Sequence, residues 1–514
     1  MGTTPKQKGE AVTDQDKYTG RVARMIQRWA GKRITVNRKT TDEGQVLQHT
    51  PPAPGEMDAE QGVYIEPPKA LPILAECEVL VVGAGPAGLS AALAARRAGA
   101  DVVLLERFGC FGGVITTVGM ETLAWYRYEG TIESEGIGVE MERRAAAMGG
   151  AIKWPYNDSE CLDADFFKVV ADHLVRESGI RPILHCYAVD VIFEPDSNRL
   201  KGIVTESKSG RQVVLAKRII DCTGDADIAH LAGASYRKTP KDKMLGVTTV
   251  FNASGVDKAR FLEYTEQQPA TYADWSRTWE QETTGKEDVL RSPYLDKEFE
   301  QARELGVIPA HTTNLGGSWS ALTEAGEATN LNLAHMQGYD STDVMDLTAA
   351  EMQGRQEALY ALTALKSVVP GFEKAKLRNF GMTLGVRDSR KIIGRTNLTG
   401  EDVRNQAKFP DSIGIFPEFI DGYNVLILPS TGRYFEVPYG CMVPLEVDNL
   451  LVAGRCVAGD MVSHAAMRNM MACTVTGQGA GVAAAVSLRQ GTTTAGVDLG
   501  GVQQELEKQG VRLH

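Results

Sequence analysis

The chain has 514 residues, of which 43% are hydrophobic and 24% are charged, and its formal net charge is −11. This length exceeds what one simple hydrophobic core accommodates, so we expect two domains. The acidic balance argues against nucleic acid as a partner. The eight cysteines form no Cys-x-x-Cys pair, so the sequence predicts no metal site and no redox dithiol, and we expect reduced thiols in a cytoplasmic protein.

The first 75 residues are predicted to form an arm and linker ahead of the first domain. The first forty hold ten basic and three acidic residues, a balance opposite in sign to that of the whole chain. Four apolar residues here recur at helical spacing and predict an amphipathic helix: Tyr18, Val22, Met25 and Trp29. We expect the arm to pack on the body or on a neighbouring subunit of a homo-oligomer; a membrane-surface or partner-binding arm is the alternative.

Residues 49–76 are rich in proline and predict an extended linker over the surface. The start of the chain lacks the apolar core of a signal peptide, which agrees with the cytoplasmic expectation. Near the other end, residues 470–488 form a long uncharged stretch with three glycines. This stretch predicts a buried helix rather than a membrane span, so no membrane insertion is expected.

The stretch over residues 78–107 carries the pattern around which the chain is organised. An apolar run over residues 79–82 predicts a buried strand. A Gly-x-Gly-x-x-Gly turn then opens an alanine-rich helix that ends near residue 98, and residues 102–105 predict a second strand. Strand, glycine turn, helix, strand and a final acidic residue together predict a dinucleotide-binding unit.

Each glycine of this fingerprint has a distinct physical role. Gly83 permits a sharp turn out of the strand, and Gly85 leaves room for a pyrophosphate to approach the backbone. Gly88 lets the helix pack close to the strand. The helix begins at Pro86 and Ala87, where free N–H groups and the positive end of the helix dipole face the phosphates. Glu106 follows the second strand, where its carboxylate can accept hydrogen bonds from a ribose.

The remaining elements are taken in chain order. Helices are predicted over 138–148 and 163–178, a strand over 183–193, a hairpin of 202–204 with 212–215, a strand over 217–224, and a long helix over 347–366. The domain boundaries that follow are an arm and linker (1–75), a first part of the dinucleotide-binding domain (76–235), a substrate or cap domain (236–440), a second part of the dinucleotide-binding domain (441–495) and a tail (496–514). The fold class is therefore α/β, with a Rossmann-like domain containing a parallel sheet and a β hairpin or meander, and an inserted α+β domain.

Glu106 is followed by Arg107 and, after a short interval, by the pair Gly112-Gly113. This sequence resembles flavoproteins of the glutathione reductase type, in which the second glycine pair lets a loop pass close to FAD. Further matching pieces are DCTGDADIA, LGVRDSRKIIG, VPYGCMVP, NLLVAGRCVAGD, SHAAMR and TGQGAGVAAA. Together they resemble FAD-dependent oxidoreductases related to fumarate reductase flavoproteins and to the flavin subunit of heterodisulfide reductase, over residues 66–490.

The resemblance implies which residues contact FAD. Thr223-Gly224 would lie beside the adenine half, Asp460 would meet the ribityl chain, and a helix starting near Thr476 would point its N-terminus at the flavin ring. The full expected set is Gly83, Gly85, Pro86, Ala87, Gly88, Glu106, Arg107, Gly112, Gly113, Val189, Thr223, Gly224, Gly454, Arg455, Asp460 and Gln478. No histidine follows Gly112-Gly113, where fumarate reductase relatives attach their flavin, so we expect non-covalent FAD. There is also no second clear Gly-x-Gly-x-x-Gly for NADPH.

These features predict an FAD-dependent dehydrogenase or oxidase that passes a hydride from a small or medium organic substrate to flavin N5. O₂ or another acceptor would then reoxidise the flavin. The first alternative is a flavin-binding subunit that passes electrons to a partner protein. The second is a flavin monooxygenase, which reaction with NAD(P)H would distinguish.

Four residues are candidates for catalysis. His464 is the one histidine in a cofactor-contact motif and could move the proton; a core histidine bonded to the backbone is the alternative. Arg468 follows one turn later and could hold a carboxylate or stabilise negative charge on the flavin. Arg387 lies in a dense charged cluster that could equally be a structural salt-bridge network. Tyr434 could line the cavity, and if His464 is structural the base should lie near Arg387 or Tyr434.

Overall fold

The computed structural model describes residues 24, 55–58, 60–154, 157–268, 278–283, 295–319 and 321–514. The chain divides into two compact units, Met1–Ala70 and Leu71–His514. Within the first unit, Glu56–Asp58 and Val63–Ile65 pair as an antiparallel hairpin, so part of the expected extended linker is a β hairpin. The predicted N-terminal helix around Tyr18 to Trp29 lies outside the described residues, apart from Arg24, which is helical and exposed.

A seven-stranded sheet organises the second unit. Its main order is Arg181–Ile183, Val102–Leu105, Ile73–Val82, Gly210–Asp221, Leu200–Ser207 and Tyr187–Phe193, and Leu450–Val452 also pairs with Gly210–Asp221. The strands Ile73–Val82 and Val102–Leu105 run parallel to each other. Their apolar runs do not alternate with polar residues because both faces of a parallel sheet are covered, and residues 79–82 are at most 3% exposed.

The long strand Gly210–Asp221 joins two kinds of pairing. Its first half pairs antiparallel with Leu200–Ser207, which forms the predicted hairpin. Its last residues pair parallel with Ile73–Val82 on one side and with Leu450–Val452 on the other. The carboxyl ends of these parallel strands therefore meet at one edge of the sheet.

The predicted strand over 183–193 is two strands rather than one. Arg181–Ile183 and Tyr187–Phe193 belong to opposite ends of the sheet order. The break lies at His185, which has a φ of 54° and whose N–H donates to the carbonyl of Phe108. An apolar run does not reveal such a turn, because the bonds that stabilise it come from a distant loop.

The fingerprint helix Pro86–Arg97 packs against a second helix, Met470–Arg489. The contact is between backbones, since a Cβ atom added to Gly477 or Gly481 would overlap the carbonyl oxygen of Ala87 or Ala91. Met470–Arg489 is long and apolar enough to cross a membrane by length and composition, yet 94% of its most apolar window is buried inside the protein. This matches the predicted buried helix.

Three other predicted helices lie within three residues of their predicted bounds. Ala164–Ser178 begins at Asp163, whose side chain accepts the N–H of Phe166, and ends at Gly179 in the left-handed region. The further helices are Ile137–Ala147, Asp227–Leu231, Lys258–Gln267, Asp296–Glu304, Val344–Val368, Gly400–Arg404, Met461–Met467 and Leu499–Lys508. Short strands pair as Ala151–Lys153 with Glu160–Leu162, Tyr236–Lys238 with Arg390–Ile392, Ser412–Pro417 with Tyr434–Pro438, and Val425–Ile427 with both Ile420–Gly422 and Glu280–Glu282.

A second, antiparallel sheet lies in the middle of the chain. Its order is Leu315–Ser318, Glu327–Met336, Val247–Ser254 and Lys376–Phe380, with Ala321–Leu322 also paired to Glu327–Met336. The helix Val344–Val368 packs on this sheet and shares its apolar core, which draws on residues 251–375. The buried apolar residues over 392–443 instead join the core of the first sheet. The predicted domain boundaries stay predictions, but the apolar cores divide the predicted substrate domain near residue 390.

Candidate active site

A cavity of about 420 Å³ lies between the carboxyl ends of the parallel strands and the second sheet. Val82, Leu105 and Cys222, at or just after the ends of three strands of the first sheet, line one side, and Thr248 and Asn332 of the second sheet line the other. In open α/β sheets, ligands bind outside the carboxyl ends of the strands. The cavity is thus in the position that the fold favours for a ligand.

The three fingerprint glycines meet three different surroundings. Gly83 has a φ of +94°, and a Cβ atom there would overlap the carbonyl oxygen of Cys222. A Cβ atom on Gly88 would overlap the carbonyl oxygen of Gly83, so helix and strand touch at this point. A Cβ atom on Gly85 would meet only Gly113 Cα, at 3.7 Å. Gly85 therefore borders open space that lines the cavity, where a ligand can approach the backbone.

The second glycine pair holds a loop against this turn. Gly113 has a φ of +52°, and its Cβ atom would lie 2.6 Å from Gly85 Cα. The N–H of Gly112 donates to the carbonyl of Ala84 at 2.8 Å. Gly113 lines the cavity, whereas Gly112 is turned towards Thr116. The loop and the fingerprint turn form one backbone cradle.

Glu106 is fixed at the end of its strand by two backbone amides. Its carboxylate accepts the N–H groups of Ala84 at 2.7 Å and Phe108 at 2.9 Å, and the side chain is 5% exposed. Next to it, the Arg107 guanidinium donates to the Tyr187 hydroxyl at 3.1 Å and lies 4.8 Å from the Phe108 ring centroid. The side chains of these residues all line the cavity: Glu106, Arg107, Phe108 and Tyr187.

Two helices begin at the cavity. Pro86–Arg97 starts after Gly85 and Met470–Arg489 starts after Asn469, and neither capping residue makes a side-chain cap hydrogen bond. The Asn469 amide donates to Ala465 and Ala466 instead. The first turns therefore keep N–H groups for a ligand, with the positive ends of both dipoles at the cavity. The second helix begins at Met470, six residues before the expected start at Thr476. The glycines that suggested a helix start, Gly477 and Gly481, instead lie inside the helix and allow it to pack closely on Pro86–Arg97.

Arg455 joins three segments at the far side of the fingerprint turn. It donates to the Gly224 carbonyl at 2.9 Å, to the Val386 carbonyl at 2.6 Å and to Asp225 Oδ1 at 2.6 Å. Gly454 and Thr223 line the cavity beside it. Thr223 is held by Asp221, whose pKa burial raises to about 6.

Five expected cofactor contacts do not line the cavity: Gly88, Gly112, Val189, Asp460 and Gln478. Val189 lies at an irregularity in the strand register, and its neighbours Tyr187 and Ala188 line the cavity instead. Asp460 caps the helix Met461–Met467 and accepts the N–H of Gly400 at 3.0 Å. The Gln478 amide oxygen accepts the N–H of Ile137 at 2.9 Å. The last two side chains are occupied by protein partners.

The sequence over residues 78–506 matches a family described as FAD dependent oxidoreductase. The chain belongs to this family. FAD is accordingly the cofactor, and the residues present fit it. A Cβ-free cradle at Gly85 and Gly113 leaves room for the pyrophosphate, Glu106 lines the cavity after the second strand, and two uncapped helix N-termini favour negative charge. The finer relation to fumarate reductase and heterodisulfide reductase stays a prediction, as does non-covalent attachment.

Among curated proteins, the chain is similar to two thiamine thiazole synthases. It is 29% identical over 184 residues to that of Methanococcus maripaludis and 29% identical over 193 residues to that of Pyrobaculum aerophilum. These alignments span 63% and 67% of the synthases, and 34% and 35% of this chain. Among solved structures it is similar to a geranylgeranyl bacteriochlorophyll reductase-like protein from Thermoplasma acidophilum, with a TM-score of 0.43 and 14% identity over 85% of this chain and 82% of that one.

The structure does not bring His464 to the cavity. His464 is 3% exposed, and its Nε2 lies 3.1 Å from the Arg387 carbonyl and 3.8 Å from Asp388 Oδ1. Lys391 donates to the same carboxylate at 2.6 Å, and the Tyr423 hydroxyl also donates to Asp388. Burial and the Lys391 charge lower the pKa of His464 below its usual value. This is the core-histidine arrangement rather than that of a base facing substrate.

The other three candidates differ in placement. Arg468 lines the cavity and donates to Asp421 Oδ2 at 2.9 Å. Arg387 also lines the cavity. Tyr434 does not, because it pairs within a different strand ladder and Lys408 Nζ lies 3.7 Å from its ring centroid.

A histidine that the sequence analysis did not single out takes the expected place. His335 lines the cavity, 3.5 Å from Arg387 Nη2 and 3.2 Å from Asn332 Oδ1. Burial and the Arg387 charge lower the pKa of His335 well below its usual value, so the imidazole is neutral at pH 7. The strand register shifts between Leu331 and Ala334, and Asn332 and His335 both line the cavity. The sequence signal that could have revealed His335 is the polar spacing Asn-x-Asn-x-x-His within a buried strand.

Proposed function

We propose that this protein is an FAD-dependent dehydrogenase or oxidase that removes a hydride from a C–H bond of a small or medium organic molecule. O₂ or another acceptor then reoxidises the flavin. One observation carries the proposal: a single cavity is lined by the cofactor cradle at Gly85 and Gly113 and by the polar wall at Asn332, His335 and Arg387. A substrate held on that wall shares a space with the cofactor.

Bound FAD supplies the hydride acceptor. The protein's own task is to orient the substrate and to move a proton. Arg387 and Arg468 carry positive charge on the cavity wall and can hold a negatively charged oxygen of the substrate. His335 lines the cavity and its imidazole is neutral, so it can accept a proton from a substrate hydroxyl or amine. Arg387 stands beside it and disfavours the charged imidazole, which limits how long the proton is retained.

Anaerobic mixing of the yellow protein with candidate reductants tests the proposal. The panel contains hydroxy acids, amino acids, amines, aromatic acids, NADH and NADPH, and the loss of flavin absorbance is followed in time. We expect an organic donor to bleach the flavin and the two nicotinamides to leave it oxidised. If only NADH or NADPH bleaches it, the organic molecule is not the hydride donor and the proposal is wrong.

A further inference from the structure

Besides Phe108 and Tyr187, which lie beside Arg107, four aromatic side chains line the cavity and form what we call the aromatic wall: Trp125, Tyr128, Trp154 and Trp279. Protein packing supports this aromatic wall from behind. Trp125 meets Phe419 edge-to-face, with ring centroids 4.9 Å apart. Trp154, which is 6% exposed, shares a small apolar cluster with Trp125 and with Ala321 beside the second sheet. Trp125 and Trp154 are therefore held in place by protein packing, with Trp154 on the side of the second sheet.

Trp154 carries a polar group without a partner. Its indole Nε1–H is buried and makes no hydrogen bond to any residue that the structure describes. Buried indole N–H groups usually find an acceptor, and leaving one unsatisfied is costly. Arg468 Nε, on another residue that lines the cavity, is also buried without a partner. Both groups are donors without accessible surface, so an acceptor oxygen on a ligand would satisfy them after a small side-chain movement.

The charges at the cavity favour an anion on the substrate side. Arg387 and Arg468 both line this side of the cavity, Arg468 beside Asp421 and Arg387 beside His335. An arginine fork binds a carboxylate with two parallel hydrogen bonds. Aromatic rings favour stacked or edge-on contacts with another ring. A ligand complementary to these donors, arginines and aromatic rings carries a carboxylate and an aromatic ring.

From this arrangement we infer that the substrate is an aromatic carboxylic acid that also carries the oxidisable C–H bond and the adjacent hydroxyl or amine of the proposed function. Its ring packs on the aromatic wall, and its carboxylate meets Arg387 and the donors of Trp154 and Arg468. This inference rests on the proposed function, because it assigns the substrate class of the same cavity. It adds a ring-binding role for residues outside the cofactor motifs.

Calorimetric titration of the FAD-loaded protein with three probes tests this. Benzoate carries both ring and charge, cyclohexanecarboxylate lacks the aromatic ring, and benzamide lacks the charge. We expect benzoate to bind and to perturb the visible flavin spectrum. Cyclohexanecarboxylate should bind about three- to tenfold more weakly, as expected for the loss of aromatic contacts, and benzamide about tenfold or more weakly for the loss of a charged hydrogen-bonding group.

A variant of Trp154 separates the contribution of its ring from that of its N–H donor. Trp154→Phe keeps an aromatic ring and removes the N–H, so the Kd for benzoate should rise on the order of tenfold while FAD content is unchanged. Trp319→Phe is the matched control. Trp319 lies in the core of the second sheet, is 1% exposed and does not line the cavity. This control should bind benzoate with the parent Kd.

Three results would overturn the inference. One is equal binding of benzoate and cyclohexanecarboxylate. Another is a Trp154→Phe variant that loses FAD but keeps the parent Kd for benzoate, because the aromatic wall would then belong to the cofactor. A third is no benzoate binding by a protein whose flavin a non-aromatic donor bleaches, which leaves the proposed function standing. A protein that takes up no FAD would instead overturn the proposed function itself.

Discussion

The two sides of the cavity are built from different parts of the polypeptide. On the cofactor side the backbone makes the site, through the turn at Gly85, the loop at Gly113 and two uncapped helix N-termini. On the substrate side the side chains make it, through His335 and Arg387. A backbone site depends on where side chains are absent, whereas a side-chain site depends on which residues the fold brings together. Substitutions should therefore act differently on the two sides.

The largest effect should come from filling the backbone cradle. A valine at position 85 places its side chain where the pyrophosphate approaches, so Gly85→Val should abolish FAD binding. The ratio of flavin to protein absorbance in the purified variant measures this. Gly500→Val is the control, because Gly500 is exposed on a C-terminal helix and a Cβ atom there has ordinary contacts. Normal FAD content in Gly85→Val would show that the cradle does not hold the pyrophosphate.

The next largest effect is expected on the substrate side, for a change at His335, and His464 is its control. His335→Gln should keep FAD and slow flavin reduction on the order of 10²-fold, the lower range for a placed proton-transfer group. His464→Gln should keep the parent rate within about threefold, because His464 lies outside the cavity. Stopped-flow reduction with an identified substrate measures both. The reverse order of effects would return the base to His464.

The pH dependence sharpens this assignment. Because burial and Arg387 lower the pKa of His335, the imidazole should stay neutral between about pH 6 and pH 8. The parent rate of flavin reduction should then show no histidine ionisation in that window. An inflection near pH 6.5 that disappears in His335→Gln would mean that His335 titrates normally.

A smaller effect is expected at Arg387. Lysine keeps the charge but cannot make two parallel hydrogen bonds to a carboxylate. Arg387→Lys should therefore weaken binding of an anionic substrate by about tenfold, as expected for one charge-assisted hydrogen bond, and leave FAD content unchanged. Titration followed by flavin absorbance measures the Kd. Unchanged affinity would assign the charged cluster a structural role.

The last effect is on the stability of the fold rather than on ligand binding or rate, and it concerns Glu121. The Glu121 carboxyl accepts the Thr329 hydroxyl at 2.6 Å, and burial raises its pKa to about 8. Because the folded state binds this proton more tightly than the unfolded state, protonation of Glu121 stabilises the fold, and the full contribution is present below the unfolded pKa. The contribution is lost as the pH rises towards 8, at about 1.4 kcal/mol of unfolding free energy per pH unit. Glu121→Gln lacks this loss. Its melting temperature relative to the parent should therefore increase from pH 5 to pH 8, and a constant difference would contradict the assignment.

The fold and the cofactor could be predicted because their signals are local. The α/β fold class with its Rossmann-like domain and the FAD cofactor are confirmed, and the helix Pro86–Arg97 and the strand Val102–Leu105 lie where expected. Asp460 and Gln478, two expected contacts that do not line the cavity, are bonded to partners distant in sequence. Gln478 bonds to Ile137, and no motif around Gln478 reveals that helix.

The sequence by itself determined the nucleotide half of this protein, because glycine spacing and an acidic strand end act through backbone geometry within about thirty residues. Only the tertiary structure decided the substrate half. His335 and Arg387 are separated by 52 residues and meet at 3.5 Å, after one strand shifts its register and a long helix returns the chain to the sheet. Which of eight histidines faces the cavity depends on those packing events, and residue type and local spacing do not encode them.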